Sequence, residues 1–580
     1  MVRFSGLMIT PNIAAISICF LMVCNAQIQK PTRPVVVLKS GSVLGVTYPI
    51  PFGYIADRFI GIPYAAPPVG NLRFAAPQPV VPWEGVKDVG LQFAAKCPQN
   101  TVPFPWNVTV GDMSEDCLYL NIWRPSGITP DNPLPVFVWI HGGGYYTQTG
   151  NNYDGSALAT VGSGMIVVTI NFRLGLLGFL NVPGSELKGN YGMLDQVAAL
   201  KWIQENIATF GGDPNKVTIA GQSSGAASVA LHLISPLSKG LFHQAILQGG
   251  GVTSPFAAYT SKDPNYGKQY LKKLNCISGD MLSCLRSKTA EEFLEATDSL
   301  SDANLGKDLP LVTVDGHFLP DDPSLLLNQG RFKKVKTIIG VNKNGGSMSS
   351  WKLQSKAAGR PIDHAVFQKA VQESLLVQNG ENDKIRRAIL HKYTNHTDPD
   401  FQESIEENWQ RLVGDSWFVA PAIKLARSLA AAGVPPFFYY FTHRARYSVY
   451  PESYGVTHGD EVPYIFGAPY QAMATLPLAS KYTELEKGLC QGVGEAWGNF
   501  VTFGDPNEYD KNRVDAADAT IPWPPFTADS EKYLVLGLRM KIEERLLPDR
   551  VAFWNDLIPK LTEAEESVGK TAQTIEKDEL

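Results

Sequence analysis

The chain has 580 residues, with 51 Lys and Arg against 56 Asp and Glu, which gives a formal net charge of −5. So small a net charge excludes a strongly basic nucleic-acid-binding protein and gives no sign of attraction to an anionic membrane surface. Hydrophobic residues make up 44% of the chain, which is enough for a large buried core. We therefore expect a globular protein without a nucleic-acid partner.

Both ends of the chain carry targeting signals. An apolar run over 13–23 ends in small residues, which predicts a signal peptide over residues 1–26. The last four residues, 577–580, read Lys-Asp-Glu-Leu, the signal that the retrieval receptor of the endoplasmic reticulum binds. No later stretch is apolar for long enough to span a membrane. We expect one domain over 27–564, a tail over 565–580, and residence in the lumen of the endoplasmic reticulum.

The cysteines agree with an oxidising compartment. Two of the seven cysteines lie in the signal peptide, which leaves five in the mature chain. Their spacing predicts two small loops closed by disulfides, Cys97–Cys117 and Cys276–Cys284. Cys490 is then left as a free thiol, and we expect it to be buried.

Two sequons indicate glycosylation in the same compartment. They begin at Asn107 and Asn395 and have the form Asn-x-Thr. Because this sequence is the acceptor for N-linked glycans, we expect both asparagines at the surface of a glycoprotein.

A G-x-S-x-G motif stands between a predicted strand and a predicted helix. An apolar segment over 217–220 runs into Gly221-Gln-Ser-Ser-Gly225, and small, helix-compatible residues follow over 226–234. This order is typical of a nucleophile elbow, in which a tight turn presents a serine hydroxyl at the end of a strand. We predict that Ser223 is a nucleophile and that the backbone N–H of Ser224 is free to bind an oxyanion.

Strands and helices alternate around this motif. Apolar strands are predicted at 136–140, 165–170, 336–340 and 437–441, and most of them lack the alternation of a half-exposed strand. Such strands are typical of a mostly parallel sheet that is covered on both faces. The sequence therefore predicts an α/β fold: a large, mostly parallel central sheet with helices on both faces.

Three further segments are expected outside this sheet. Residues 39–48 favour a hairpin, and residues 59–74, which are dense in proline and glycine, favour a rigid irregular loop. Residues 251–330 are rich in helix and are expected to form a helical cap over the site.

Four motifs together resemble the type-B carboxylesterase/lipase family, which includes the cholinesterases. They are Ser114-Glu-Asp-Cys-Leu-Tyr-Leu-Asn121, His141-Gly-Gly-Gly144 after an apolar strand, the elbow at Ser223, and the loop 455–466 that contains His458. The resemblance covers residues 36 to 561, almost the whole mature chain. It implies an α/β-hydrolase fold and hydrolysis of small-molecule carboxylic esters without a metal or cofactor.

The resemblance also implies roles for individual residues. His458 would be the general base that activates Ser223. The oxyanion hole would consist of the backbone N–H groups of Gly143, Gly144 and Ser224.

The third member of the triad breaks the pattern. In the family, an acid stands at the position of Gly345, and a serine that hydrogen-bonds this acid stands at the position of Gly249. Loss of both indicates a dismantled subsite, and removal of the acid alone costs a serine hydrolase about 10⁴-fold in turnover. Asn344 and Asp415 are possible substitutes, although neither stands at the matching position. Restoring glutamate at 345 and serine at 249 is expected to raise turnover.

The sequence contains few indications of the substrate. Gln222 replaces the glutamate that cholinesterases place before the serine, which weakens the case for a cationic substrate. Juvenile hormone esterases have glutamine there, so a lipophilic methyl ester remains an alternative. Trp106 lies near the place of a choline-binding tryptophan, but its spacing favours a role in loop packing.

Two functions remain open at the level of the sequence. The first is a serine carboxylesterase of the endoplasmic reticulum that is slowed by the missing acid. The second is an esterase-fold protein that has lost turnover and acts as a binding or anchoring partner in the lumen. The intact Ser223 and His458 favour the first, and Gly345 and Gly249 favour the second.

Overall fold

The computed structural model describes most of the chain that follows residue 32: residues 33–50, 53–100, 110–160, 164–258, 267–304 (side chains to 298), 311–374, 383–469, 481–509 and 522–563. The predicted signal peptide, Trp106, the sequon at Asn107 and the C-terminal Lys-Asp-Glu-Leu lie outside the described residues. Predictions on those segments stay predictions.

An 11-stranded sheet runs through the centre of the molecule. The described residues form fourteen strands, β1 Val35–Leu38, β2 Gly41–Leu44, β3 Val46–Pro49, β4 Ile55–Pro63, β5 Val86–Asp88, β6 Tyr119–Pro125, β7 Leu134–Ile140, β8 Ile166–Ile170, β9 Gly212–Gln222, β10 Gln244–Gln248, β11 Lys336–Asn342, β12 Phe437–Phe441, β13 Lys532–Leu536 and β14 Lys541–Glu544. The large sheet has the order β14-β13-β12-β11-β10-β9-β7-β8-β6-β4-β3, and β1, β2 and β5 form a small separate sheet.

The middle of the large sheet is parallel and its edges are antiparallel. The seven neighbouring strands from β13 to β8 all run in the same direction. The remaining pairs, β13–β14, β8–β6, β6–β4 and β4–β3, are antiparallel. The predicted mostly parallel sheet is therefore confirmed, and the carboxyl ends of its central strands meet at one edge, where ligands bind in open α/β sheets.

Helices cover the sheet on both faces. The described residues form sixteen α-helices: α1 Ser156–Thr160, α2 Gly175–Phe179, α3 Tyr191–Asn206, α4 Ser224–Ile234, α5 Lys268–Lys273, α6 Met281–Arg286, α7 Ala290–Asn304, α8 Pro323–Asn328, α9 Ser350–Ala357, α10 His364–Gln372, α11 Asp383–Lys392, α12 Gln402–Gly414, α13 Ala420–Ala431, α14 Val462–Ile465, α15 Glu484–Phe503 and α16 Pro548–Ala552. A π-helical turn, Asp415–Val419, joins α12 to α13.

Strand β7 shows why an apolar strand without alternation lies in the middle of the sheet. Val136, Val138 and Ile140 belong to the hydrophobic cluster on one face, and Phe137 and Trp139 belong to the cluster on the other. All five side chains are fully buried. Side chains on both faces of the strand are therefore buried in the core and apolar, which is the pattern expected for a sheet that is covered on both sides.

The expectation for residues 59–74 was wrong in its first part. Phe59 to Pro63 continue β4, which pairs with β6 along its length and has a register shift between Ile60 and Ile62. The apolar side chains here are buried against the core, and this burial outweighs the turn preference of the nearby glycine and prolines. The irregular loop begins only at Tyr64. The hairpin expected at 39–48 is formed in part, by β1 and β2, whereas β3 pairs with β4.

Candidate active site

Ser223 lies on a strained turn between β9 and α4. Its backbone has φ 59° and ψ −125°, a conformation that costs a residue with a side chain about 1–3 kcal/mol. Two backbone hydrogen bonds hold the turn: the N–H of Ser223 donates to the carbonyl of Gln248 at 2.8 Å, and its carbonyl accepts from Ala227 at 2.9 Å. The surrounding chain therefore fixes the serine in the geometry of a nucleophile elbow.

The glycine run of 142–144 follows β7 and faces this turn. Helix α4 lies so close to β7 that a Cβ on Gly225 would overlap the carbonyl oxygen of Ile140. Gly143 and Gly144 have φ values of 100° and 64°, so their peptide groups turn in a way that residues with side chains rarely adopt. Both glycines line the same cavity as Ser223. The predicted oxyanion donors thus lie beside the predicted nucleophile.

His458 lines this cavity from the loop that follows β12. Its side chain is 7% exposed and lies flat on the ring of Phe418, with centroids 4.2 Å apart. Its Nε2 is buried and has no hydrogen-bond partner among the described residues, so Ser223 and His458 are not hydrogen-bonded in this state. Burial lowers the pKa of His458 from 6.5 to about 3. The imidazole is therefore neutral at physiological pH.

A buried polar network that the sequence analysis missed holds the histidine loop. The carboxylate of Glu461 accepts hydrogen bonds from Gln248 at 3.2 Å and from Asn342 at 2.5 Å. The same amide nitrogen of Asn342 donates to the carbonyl of Thr457 at 2.7 Å. Burial raises the pKa of Glu461. Gln248 and Asn342 are the last residues of β10 and β11, so the network ties the loop of His458 to the sheet. In the sequence, only the nearness of Glu461 to His458 could have indicated that this glutamate belongs to the site.

Gly345 is buried and begins a short 3₁₀ helix after β11. A Cβ at this position would lie 3.2 Å from the ring of Phe418. Phe418 thus occupies the space that a side chain at 345 would enter. Gly249 approaches His458 from another side, where an added Cβ would lie 2.7 Å from Cε1 and 2.9 Å from Nδ1 of the imidazole.

The two substitutes considered for the acid are engaged elsewhere. The side-chain oxygen of Asn344 accepts a hydrogen bond from the backbone of Val456 at 3.1 Å. Asp415 forms an ion pair with Arg550 and accepts a hydrogen bond from Tyr393 at 2.7 Å. In the described part of the chain, no carboxylate is hydrogen-bonded to the ring of His458.

Asp460 is another carboxyl group near His458. It lines the cavity and accepts a hydrogen bond from the backbone N–H of Thr457 at 2.8 Å. Burial raises its pKa from 3.8 to about 7, so a large fraction is protonated at neutral pH.

The cavity above Ser223 has a volume of about 280 Å³, and about a third of the residues that line it are aromatic. The aromatic lining residues are Tyr146, Tyr153, Phe256, Trp351, Trp417, Phe418, Tyr447, Tyr450, Tyr464 and Tyr482. Of the described residues in 251–330, the expected cap, Phe256 and Leu311 line the cavity. Most of the lining comes from later segments around α9, the π-helical turn and the histidine loop, because the loops that follow β11 and β12 lie at the same edge of the sheet as Ser223.

The predicted cysteine pairs are bonded, with Cys97–Cys117 at 1.98 Å and Cys276–Cys284 at 1.94 Å between sulfurs. Cys490 is free and buried, as expected. Asn395 is half-exposed, and its side-chain oxygen accepts from the backbone of Thr397.

Two searches of the described residues bear on membranes and metals. None of the helices in this part of the chain is long and apolar enough to cross a membrane. No group of three or more His, Cys, Asp or Glu side chains within the same ranges is placed to hold a metal ion.

A serine on a strained strand-to-helix turn, beside a glycine run that follows the neighbouring parallel strand, defines the α/β-hydrolase class. Comparison with known proteins agrees with this geometry. The sequence model of the carboxylesterase family matches residues 32–554. The chain is 37% identical over 549 residues to the acetylcholinesterase of Bungarus fasciatus, covering 91% of this chain and 87% of that protein. It is 36% identical over 564 residues to the cholinesterase of Mus musculus, covering 93% and 89%.

The chain therefore belongs to the carboxylesterase family. The resemblance that the sequence motifs indicated is confirmed, and membership supports a function as an ester hydrolase.

Proposed function

We propose that the protein is a serine carboxylesterase that acts through an acyl-Ser223 intermediate and is slow because the triad acid is missing at Gly345. The observation that carries the proposal is the meeting of Ser223, His458, Gly143 and Gly144 around one cavity. The strain at Ser223 is a second support, since such strain persists where the surrounding structure holds a reactive side chain in place.

Each residue of the site has a distinct role in the proposed reaction. The Oγ of Ser223 attacks the ester carbonyl carbon while Nε2 of His458 takes the hydroxyl proton. The carbonyl oxygen, now negatively charged, accepts hydrogen bonds from the N–H groups of Gly143, Gly144 and Ser224. The tetrahedral species collapses, the C–O bond to the alcohol breaks, and the imidazolium returns the proton to that alcohol. Water then repeats the steps on the acyl-serine and releases the acid.

The expected slowness follows from the electrostatics of His458. Each half-reaction passes through an imidazolium, which a buried carboxylate normally stabilises. Here the pKa of His458 is lowered from 6.5 to about 3 by burial. That difference corresponds to on the order of 5 kcal/mol against the charged form. A carboxylate beside the imidazole would offset part of this cost, and its removal from a serine triad lowers turnover by roughly 10⁴-fold.

We also propose that the protein resides in the lumen of the endoplasmic reticulum. The two disulfides support it, because such bonds form and persist in oxidising compartments. The C-terminal Lys-Asp-Glu-Leu would bind the retrieval receptor there.

A second candidate is a binding or anchoring partner in the same lumen. Two observations favour it: Nε2 of His458 makes no hydrogen bond to Ser223, and the ring of Phe418 occupies the space that a side chain at 345 would enter.

A serine-directed fluorophosphonate decides between the two candidates. We expect a single adduct on Ser223, located by peptide mass spectrometry, together with hydrolysis of 4-nitrophenyl butyrate above the rate of Ser223→Ala. His458→Ala should lower both signals and leave the melting temperature near that of wild type. No adduct on Ser223 between pH 5 and 9, with no hydrolysis above the Ser223→Ala background, would remove the esterase proposal and leave the binding protein.

A further inference from the structure

We propose that Asp460, Tyr464 and Tyr482 form a subsite for a hydroxyl group on the leaving alcohol, so that the preferred esters are those of diols and polyols. The inference rests on the proposed esterase function and names a substrate class for it. All three residues line the cavity that contains Ser223 and His458. None of the three takes part in the proposed reaction itself.

Two of these residues bring buried hydroxyl groups to the cavity wall. Tyr464 is 1% exposed and Tyr482 is 5% exposed. Neither hydroxyl has a hydrogen-bond partner among the described residues. Because folded proteins pair most of their buried polar groups, two such hydroxyls at one cavity indicate a polar group that binds there. A ligand that supplies the partner recovers the free energy that the unpaired hydroxyls cost.

Ring contacts hold these tyrosines together. The ring of Tyr482 meets that of Tyr447 edge-on with centroids 4.4 Å apart, and its centroid lies 6.0 Å from that of Tyr464. Burial raises the pKa of Tyr447 and of Tyr464, and the carboxyl groups of Glu486 and Asp460 add to the rise. Both hydroxyls therefore stay protonated at physiological pH. A protonated hydroxyl can donate one hydrogen bond and accept others.

Asp460 adds a carboxyl group to the same part of the wall. Its Oδ2 accepts from the backbone N–H of Thr457 at 2.8 Å, and no side chain in the described part of the chain is hydrogen-bonded to its Oδ1. Burial raises the pKa of Asp460 from 3.8 to about 7, and the charge of Glu461 adds to the rise. At neutral pH the carboxyl group is therefore a mixture of its ionised and protonated forms.

A hydroxyl group matches these partners better than a cation does. It donates to the ionised form of Asp460, accepts from the protonated form, and accepts from a tyrosine hydroxyl in either case. A quaternary ammonium group requires the full negative charge and has no hydrogen-bonding atom, so it would leave Tyr464 and Tyr482 unpaired. The chemistry of the subsite therefore favours an alcohol.

The proposed reaction places the leaving alcohol on this side of the cavity. Nε2 of His458 returns the proton to the alcohol, so the ester oxygen of that alcohol must lie beside the imidazole. Asp460 follows His458 by two residues in the same loop, and Tyr464 lies in α14, which begins at Val462. A hydroxyl a few carbons from the ester oxygen is thus placed to reach the subsite.

Two esters of matched size test the inference. They are 3-hydroxypropyl butyrate and butyl butyrate, which differ only in a terminal hydroxyl in place of a methyl group. Titration of the released butyric acid gives kcat/KM for each. We expect the ratio of the two values, hydroxypropyl over butyl, to fall about tenfold in Asp460→Leu and in Tyr464→Phe/Tyr482→Phe. General damage to His458 cancels in the ratio, because the same base acts on both esters.

Two further variants are controls. Asp460→Asn loses the charge but keeps a donor and an acceptor, so it should keep most of the ratio. Tyr439 is fully buried in β12 and is not among the residues that line the cavity, so Tyr439→Phe should leave the ratio unchanged. An unchanged ratio in Asp460→Leu or in the double tyrosine variant would overturn the inference. So would an equal fall in Tyr439→Phe, or a fall in Asp460→Asn as large as in Asp460→Leu.

A binding measurement separates this inference from the esterase proposal. N-(3-hydroxypropyl)butanamide and N-butylbutanamide are the amide counterparts of the two esters. Trp351 and Trp417 line the cavity, so quenching of tryptophan fluorescence reports the binding of each amide. The preference for the hydroxy amide over the butyl amide should be about tenfold greater in wild type than in Asp460→Leu. If wild type hydrolyses neither ester, the esterase proposal fails and this comparison alone decides the role of the subsite. Equal preferences in the two proteins would then overturn it.

Discussion

The ring of Phe418 lies nearly parallel to the imidazole of His458, with centroids 4.2 Å apart and 22° between the planes. An aromatic face at this distance stabilises a cation by about 0.5–2 kcal/mol. The carboxylate of a complete triad is worth about 5 kcal/mol of barrier. Phe418 therefore holds the ring of His458 in place but supplies only a small part of the stabilisation that the missing acid would give.

The first prediction concerns the restoration of the acid. Gly345→Glu alone should raise kcat/KM on 4-nitrophenyl acetate only modestly, because its Cβ would lie 3.2 Å from Phe418. In the double variant Gly345→Glu/Phe418→Ala, loss of the phenyl ring makes room for the carboxylate. The gain in kcat/KM of this double variant should exceed the sum of the two single effects, with an upper limit of about 10⁴-fold.

Phe418→Ala alone is the control for this experiment, and it should stay within about tenfold of wild type. The melting temperature of each variant shows how much stability is lost when the buried phenyl group is removed. If wild type already matches an efficient esterase and the glutamate adds nothing, then another group acts as the acid and the idea of an incomplete triad is wrong.

The second prediction concerns Gly249 and reverses the expectation from sequence. Gly249 has φ +62°, and a Cβ there would lie 2.7 Å from Cε1 of His458. A residue with a side chain pays about 1–2 kcal/mol for such a backbone and must also displace the imidazole. Gly249→Ser should therefore lower kcat/KM in the wild-type background.

Gly249→Ala separates the two possible effects of that serine. It adds the same Cβ without a hydroxyl, so it should cause a similar loss. A rise in turnover for Gly249→Ser, with a fall for Gly249→Ala, would show that a hydroxyl assists His458 and would contradict the steric argument.

The third prediction is a pH profile. A base must be neutral to accept the serine proton, and the pKa of His458 is lowered to about 3 by burial. The neutral form therefore persists as the pH falls, and kcat/KM on a neutral ester should show no acid limb centred near 6.5. Asp460, with a pKa raised to about 7, titrates in the same range, so Asp460→Asn is measured alongside wild type.

The variant with a restored glutamate should behave differently. A carboxylate near the imidazole raises the pKa of His458, so an acid limb should enter the range from pH 5 to 7 in Gly345→Glu/Phe418→Ala. An acid limb near 6.5 in wild type that persists in Asp460→Asn would contradict the burial of an unpaired histidine.

The fourth prediction concerns cellular location. Deleting residues 577–580 should release the protein into the medium with glycans on Asn107 and Asn395, because retrieval depends on that C-terminal sequence. A variant with the same four residues in scrambled order should be released to the same extent. Immunoblots of cells and medium, with and without removal of N-glycans, provide the measurement. A folded deletion variant that stays inside the cell would argue against retrieval by a receptor.

The local parts of this site were predictable from sequence, and the parts assembled from distant segments were not. The elbow could be located because Gly221, Ser223 and Gly225 are close in sequence and stand between an apolar segment and a run of small, helix-compatible residues. The same holds for the glycine run after β7. Phe418 gave no such signal. Its position beside His458 and Gly345 comes from packing against residues that are far away in the chain, and nothing in its own segment marks it.

The fold, like the site, could be predicted from the sequence only in part. Apolar strands such as 437–441 were located correctly, because burial on both faces leaves a continuous hydrophobic run. The start of the 59–74 segment was not predicted correctly. Its structure is decided by pairing with β6 and by burial of its apolar side chains, and the proline content has less influence. Gly249 is an intermediate case. Its identity was noticed in the sequence, but the direction of its effect depends on the position of the imidazole, which only the structure gives.

The close contact between Gly225 and the carbonyl of Ile140 has a further consequence. It joins the serine turn to the strand that carries the glycine run, while Glu461 ties the histidine loop to β10 and β11 separately. Gly345 takes part in neither arrangement. The contacts that hold the two loops are therefore independent of position 345: a substitution there leaves the supports of the serine turn and of the histidine loop in place. Under the proposed function, a missing acid would slow acylation and deacylation alike, while the fold that presents Ser223 is kept.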